Sequence, residues 1–362
     1  MGALGLLGPA CGQAAQTAQP TSAAVATQAT APALAAATSP SAAPAVSGSA
    51  ATVKITDIQI TSAAGSYIAA ERGYFRDEGV DAQFLASSAS EQVTAVLAGS
   101  ADVAGTVINA QLYNALARGL PLKMVADHGA NLRGASAGGF VIRKDLVDSG
   151  QYGSAADVKG WKIGAGAPGS TADIALDRFL HSGGLDIKDI EQTTLGFPEI
   201  LAAFSNKAIQ GAYFQEPFTT IGVEQGLCVR GPIGYDMYPD QQIAVVLFGQ
   251  KLFSDRELSS HYVRAYTRGV RDYVKGLLQK DRAMFDLVVP ILIAHTTVKD
   301  RSLFERAIPS GLKADPIPNV QSMKDDQDWF VQHGFVQQPI QVDQFVDLSF
   351  VQDAIKQLGP AG

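Results

Sequence analysis

The side chains that could carry out bond-making chemistry are few and scattered. The five histidines, His128, His181, His261, His295 and His333, show neither a His-x-x-x-His nor a His-Glu pairing, so no zinc-hydrolase or imidazole-centred pattern emerges. No Gly-x-x-x-x-Gly-Lys-Ser/Thr loop and no Gly-x-Ser-x-Gly elbow occurs. Gly164, Gly166 and Gly169 approximate a dinucleotide loop, but Pro168 and the displaced third glycine spoil it. The sequence therefore supplies no catalytic constellation and no cofactor motif. What it supplies is polar helix entries. Ser170-Thr171-Ala172-Asp173 has the form of a capping box, in which a hydroxyl and a carboxylate satisfy the first backbone N–H groups of a helix. Ser87 to Ser90 and Ser62 to Ser66 are two further entries of this kind. Glycine-rich backbone, first-turn N–H groups and the helix dipole together make a neutral cradle for an anion.

These entries need strands in front of them, and the apolar pattern provides strands. Val53 to Ile60 alternates and is β-branched. After it come a helix Tyr67–Arg72 stopped by Gly73, a strand Asp81–Leu85, a helix bearing Val93, Val96 and Leu97, and a short buried strand Asp102–Val107. A helix Asn109–Arg118 and a strand Leu122–Ala126 complete this run. The alternation restarts with a strand Trp161–Gly164, a helix Ser170–Leu180, a strand Ile190–Leu195, a helix opened by Pro198 and a strand up to Phe214. Matching Ala95–Ala104 with Ala202–Gly211 suggests a weak internal duplication. The C-terminal third is helical, with Leu258, Tyr262, Val263, Tyr266, Val270, Tyr273, Val274, Leu277 and Leu278 keeping a near-unbroken 3.6 period, an amphipathic helix packed on a core. The expected fold class is α/β, two lobes of mainly parallel sheet flanked by helices, with ligands bound beyond the carboxyl ends of the strands.

Composition narrows the partners. The chain has 362 residues, 28 Lys+Arg against 35 Asp+Glu, and 2 Cys. A net charge of −7 without a basic cluster argues against nucleic acid. Two cysteines cannot build a disulfide framework, and Cys228, alone in the body, reads as a small buried hydrophobe. Residues 1–50 contain no charged side chain. Residues 12–52, rich in Ala, Thr, Ser and Pro, read as a disordered tether with nothing large to bury. Before them, a short apolar stretch ending at Cys11 resembles a lipoprotein leader. Acylation at Cys11 would place the protein, expected to be a monomer, outside the cytoplasm, held at the cell membrane.

Longer blocks carry a wider resemblance. Tyr67-Ile-Ala-Ala-Glu-Arg-Gly-Tyr-Phe-Arg-Asp-Glu-Gly-Val80, Ala98–Ala104, Asn114–Gly119, Val158–Ile163, Pro168–Thr171, Gln215–Phe218 and Asp328–Val331 stand in one order along Val53–Leu358. Together they resemble the ABC-importer solute-binding proteins for aliphatic sulfonates, taurine, nitrate and thiamine precursors, which have the type II periplasmic-binding-protein fold. The departures are Gln210 in place of Asp, Gln215 before Glu-Pro in place of an aromatic residue, and Ser62–Ser66 where thiamine-precursor binders have Pro-Asn.

The resemblance implies lobe 1 at residues 53–138 and 243–362 and lobe 2 at 139–242. The crossovers would lie at Gly139–Val141 and Val245–Leu247, and the lobes would close on a solute that is passed to permease subunits. The ligand-binding residues expected are Ser62, Tyr67, Ser88, Ser90, Asn109, His128, Ser170, Thr171, Gln215 and Glu216, with Arg133 close by. Tyr67, Phe140, Tyr213, Phe214, Tyr235 and Tyr238, near strand ends, would favour an organic anion or a planar heterocycle (sulfonate, vitamin or vitamin precursor) over an inorganic ion. An enzyme on the same two-lobed fold, pyrimidine-synthase-like or a cyclic-acid dehydratase, is the alternative.

Overall fold

The computed structural model describes residues 50–88, 91–136 and 138–362. Cys11, the leader, nearly all of the expected tether and Ser90 lie outside the described residues. Ten strands occur among the described residues: β1 Ala51–Asp57, β2 Val80–Ala86, β3 Val103–Val107, β4 Leu122–Ala130, β5 Gly138–Arg143, β6 Lys162–Ala165, β7 Glu191–Thr194, β8 Gly211–Gln215, β9 Cys228–Ile233 and β10 Gln242–Gly249. They form two five-stranded sheets, ordered β2-β1-β3-β10-β4 and β7-β6-β8-β5-β9. In each sheet the fourth strand runs against its neighbours and the other four run together.

The helices that matter below are α1 Ala64–Glu71, α2 Gln92–Leu97, α3 Ala110–Ala117, α4 Thr171–Ser182, α5 Phe197–Ser205, α6 Phe218–Glu224, α7 Arg256–Tyr273, α8 Arg282–His295, α9 Val320–Gln332 and α10 Ser349–Leu358. Helices α1, α7, α8 and α10 bury one face of the first sheet around Ile55, Val125, Tyr262 and Phe350. A second core joins α3, α4 and α9. A third lies under α5 and includes Ile200, Phe214 and Cys228. Cys228 is 1% exposed, and burial pushes its thiol up to about 11, so it packs as a small apolar residue.

The duplication is plain in the pairing. Ile55 lies beside Val103 and Thr56 beside Ala104; in the second sheet Ile163 lies beside Gly211 and Gly164 beside Ala212. Lys54 N–H donates to Asp102 Oδ2 at 2.9 Å, and Lys162 N–H donates to Gln210 Oε1 at 2.9 Å. Gly99 and Lys207, each three residues earlier, share a left-handed turn at φ 72° and 61°. The true register is thus one residue away from the match of Ala95–Ala104 with Ala202–Gly211, because Asp102 answers to Gln210 and not to Ile209. Gln210 fills the place of an aspartate by offering the same acceptor without a charge.

Three further differences from expectation have local causes. β1 starts at Ala51, inside the expected tether, because parallel pairing with Val80 and Asp81 uses backbone and needs no large side chain. The residues expected as crossovers, Gly139–Val141 and Val245–Leu247, are strand interiors paired on both sides. The chain passes between the sheets just before each, and the two passages are tied together. Asn131 N–H donates to Gln241 O at 2.9 Å, Asp240 N–H to Asn131 O at 2.9 Å, and the side chains meet at 3.2 Å. β4 also runs four residues beyond Ala126.

Candidate ligand-binding site between the sheets

The carboxyl ends of the parallel strands of both sheets turn toward one another, and the polar helix entries stand there. Asn109 caps α3, its Oδ1 accepting Leu112 N–H at 2.9 Å. It forms an isolated bridge with Ser170, the residue before α4, and Ala110 N–H donates to Gly169 O at 2.9 Å. Two expected ligand-binding residues from different sheets are thereby brought into contact. Gly169 permits this approach: it sits at φ 81°, and a Cβ there would lie 3.3 Å from the Ala110 Cβ.

The turn before α4 already holds an anion. The carboxylate of Asp173, nearly fully buried, accepts the N–H of Gly169 at 2.7 Å and of Ser170 at 3.1 Å. Its other oxygen takes Gln192 Nε2 at 2.8 Å. Burial nevertheless raises its pKa, outweighing those hydrogen bonds. The expected neutral cradle is therefore partly filled by the chain's own carboxylate. Thr171 is 2% exposed, and its carbonyl receives Gln241 Nε2 at 3.1 Å, which links α4 to the paired crossovers.

A second meeting point surrounds Glu216. Its carboxylate is 8% exposed and pairs with Arg230. It also accepts Thr220 Oγ1 at 2.8 Å, Thr220 N–H at 3.1 Å and, on the other oxygen, Ile308 N–H at 3.4 Å. Thr61, beside Ser62, shares a hydrogen bond of 2.7 Å with Ser310. Thr61, Glu216, Pro217 and Ser310 line one cavity of about 20 Å³, room for roughly one water. Gln215 ends β8 and pairs with Gly138.

Other expected residues are placed elsewhere. Tyr67 is 3% exposed and stacks on His295 at 4.8 Å, beside Phe84. Ser88 is exposed, and its hydroxyl and N–H bond to Glu91. His128 is buried under the first sheet because β4 continues through it. Its Nδ1 lies 3.2 Å from Tyr266 Oη, and Tyr266 donates to Asp127 O at 2.8 Å, so Nδ1 is the donor. Its Nε2 lies 3.1 Å from Asp57 Oδ2. Gly105 makes room for this pair, since a Cβ there would fall 2.1 Å from His128 Nε2. Phe140, Tyr213, Phe214 and Tyr238 belong to the cores, and of the six aromatics only Tyr235 is partly open, under Arg133. Sequence reasoning overlooked Thr61, Arg230 and Ser310. Arg230 and Ser310 belong to segments without periodicity, and only their proximity to Glu216 and Thr61 in space marks them.

The model of the NMT1-like family matches residues 47–273. No curated protein matches the chain. Among solved structures, the alkanesulfonate-binding protein SsuA from Xanthomonas axonopodis pv. citri, bound to MOPS, is similar at 17% identity and TM-score 0.64, covering 84% of this chain and 100% of its own. The periplasmic nitrate-binding protein NrtA from Synechocystis PCC 6803 is similar at 16% identity and TM-score 0.68, covering 85% and 89%. The desulfurization enzyme DszB is similar at 15% identity and TM-score 0.60, covering 85% and 99%. These likenesses show the shared fold.

Proposed function

Because the chain belongs to the NMT1-like family, we propose that it is the extracytoplasmic solute-binding receptor of an ABC importer, capturing a small organic anion between its two sheets and handing it to the permease. The observation that carries this reading is the facing of the two sets of strand ends, with Asn109 against Ser170 and Thr61 near Glu216. A solute that touches both sets stabilises the state in which they are close, and the paired crossovers at Asn131 and Gln241 are the hinge. The named binding proteins for alkanesulfonate and nitrate support this class of cargo. With most aromatic rings committed to the cores, hydrogen bonding to an acidic head outweighs ring stacking, and a sulfonate is favoured over a vitamin precursor. No described helix is long and apolar enough to cross a membrane; attachment would come from acylation at Cys11, with the protein working as a monomer.

The enzyme reading has the DszB likeness in its favour. Against it, Cys228 is buried with its thiol pushed up to about 11, and His128 is enclosed beside Asp57.

Thermal-shift screening against alkanesulfonates, taurine, nitrate, pyrimidines and aromatic acids tests the reading, since a ligand of the folded state raises Tm. An alkanesulfonate is expected to give the largest rise. Replacing Ser170 or Thr171 by Ala is expected to weaken its binding by roughly several-fold, the worth of one hydrogen bond in a desolvated cleft. A rise with nitrate alone, or unchanged affinity in both variants, overturns the assignment.

A further inference from the structure

The largest cavity among those described adjoins the Thr61–Glu216 cavity across residues 304–309, and Leu277 also borders both. It has a volume of about 650 Å³ and is bounded by the turn after β4 at Arg133–Ala135, by residues 276–285 between α7 and α8, and by the strap 304–309. Its size is that of a small-molecule site. Leu277, Leu278, Phe285, Phe304, Ile308 and Pro309 give it an apolar wall. Helix α7 passes into a single π-turn, Val274–Leu278, and this wider turn offers Leu277 and Leu278 to the space.

The charges around that wall are unbalanced. Arg282 is paired with Asp286 and Glu305, and Arg306 with Glu224 and Asp300. Arg133 and Lys280 have no carboxylate partner among the described residues. Arg133 lies 5.1 Å above the Tyr235 ring and donates to its hydroxyl at 3.2 Å, which fixes the guanidinium while leaving its charge uncompensated. Lys280 holds a left-handed turn at φ 59°, and the adjacent Asp281 is taken by Lys275 and by the N–H of Met284. In a chain of net charge −7, two unpaired cations at the mouth of an apolar cavity call for an anionic head on an apolar body.

We propose that this cavity is a second binding site, distinct from the one between the sheets, for an amphiphilic organic anion whose acidic head sits at Arg133 and Lys280 and whose apolar body lies against Phe304, Ile308 and Leu278. The strap that walls it turns its other side to the Thr61–Glu216 cavity: Ile308 N–H faces Glu216, and Ser310 bonds Thr61. An occupant therefore bears on a segment that both sheets share.

The test is calorimetric titration of the full chain with octane-1-sulfonate, with 1-octanol as the neutral control. Saturable binding is expected, and the pair Arg133→Gln and Lys280→Asn should weaken it by roughly tenfold or more while leaving 1-octanol unaffected. Both side chains are exposed and Asn tolerates a left-handed turn, so the variant should melt with the parent. The variant with Ser170→Ala and Thr171→Ala weakens the site between the sheets and should leave intact the component of binding that depends on Arg133 and Lys280. No saturable binding up to about 1 mM, or equal affinity in the Arg133/Lys280 variant, overturns the proposal. Loss in the Ser170/Thr171 variant instead assigns the probe to the site between the sheets; that result refutes the second site and leaves the importer reading standing.

Discussion

Helices α1 and α4 hold matching places in the two halves, yet they are anchored by different physics. The step from Lys54 to Lys162 equals the step from Ser62 to Ser170 and from Gly65 to Asp173. Where α4 carries Asp173, with its carboxylate turned back on Gly169 and Ser170, α1 carries Gly65, pressed against α7. The two helices cross so closely there that a Cβ on Gly269 would lie 2.1 Å from Gly65 O. The first half has long C-terminal helices to pack against and fixes its entry by contact. The second half has α9 against the body of α4, with Trp329 Nε1 donating to Asp177 at 2.8 Å, and fixes the entry itself by hydrogen bonds. A common topology thus constrains where a helix begins and leaves open what holds it.

That contrast can be broken most severely at Gly65. A Cβ there would fall 2.5 Å from Val270 Cγ2 and 2.7 Å from Tyr266 Cε2, so Gly65→Ala should cost about 3 kcal/mol in denaturant unfolding. A neutral result would mean that α1 is not held by packing. Next in size is Arg230→Ala. It strips the nearly buried Glu216 of its charge partner and should cost about 2 kcal/mol, the pair being partly open to water. The corresponding entry in the first half, α3, is held by the neutral cap Asn109, and Asn109→Ala should cost only about 1 kcal/mol. Equal losses at the two sites would erase the distinction.

The smallest effect is a change in pH dependence. Burial raises the Asp173 pKa above its unfolded value, so the folded state binds the extra proton. Stability is then greatest below the unfolded pKa, about 4, and falls as pH rises through the folded one. Asp173→Asn keeps an acceptor for Gly169 and Ser170 and should flatten the fall of Tm as pH rises above about 4. A slope equal to that of the parent would show that Asp173 does not titrate in this window.

Much of this architecture was legible because its determinants are local. The β-branched run after Ala51, the glycine stops and the Ser170–Asp173 box each act over a few residues, and each marks its element. The capping box announced a helix entry correctly; that its carboxylate would occupy the turn's own N–H groups follows from distances. What escaped depends on partners far along the chain. Asp127 and His128 sit inside a strand because Gln242, Lys313 N–H and Tyr266 hydrogen-bond them, and none of these is near in sequence. Polar residues of that kind look like a loop until the fold supplies their partners. Residues 245–247 looked like a passage between lobes because nothing local shows that β3 and β4 leave a gap for them.

That gap governs the order in which the molecule can be finished. β10 lies between β3 and β4, so the last strand to leave the ribosome is an interior strand of the sheet that begins first. Until residues 242–249 arrive, β3 and β4 have no partner between them and their backbone groups face water or each other's edges. The second sheet contains only strands from 138–233 and can close earlier. Synthesis from the N-terminus therefore leaves the leading half incomplete through about two-thirds of translation.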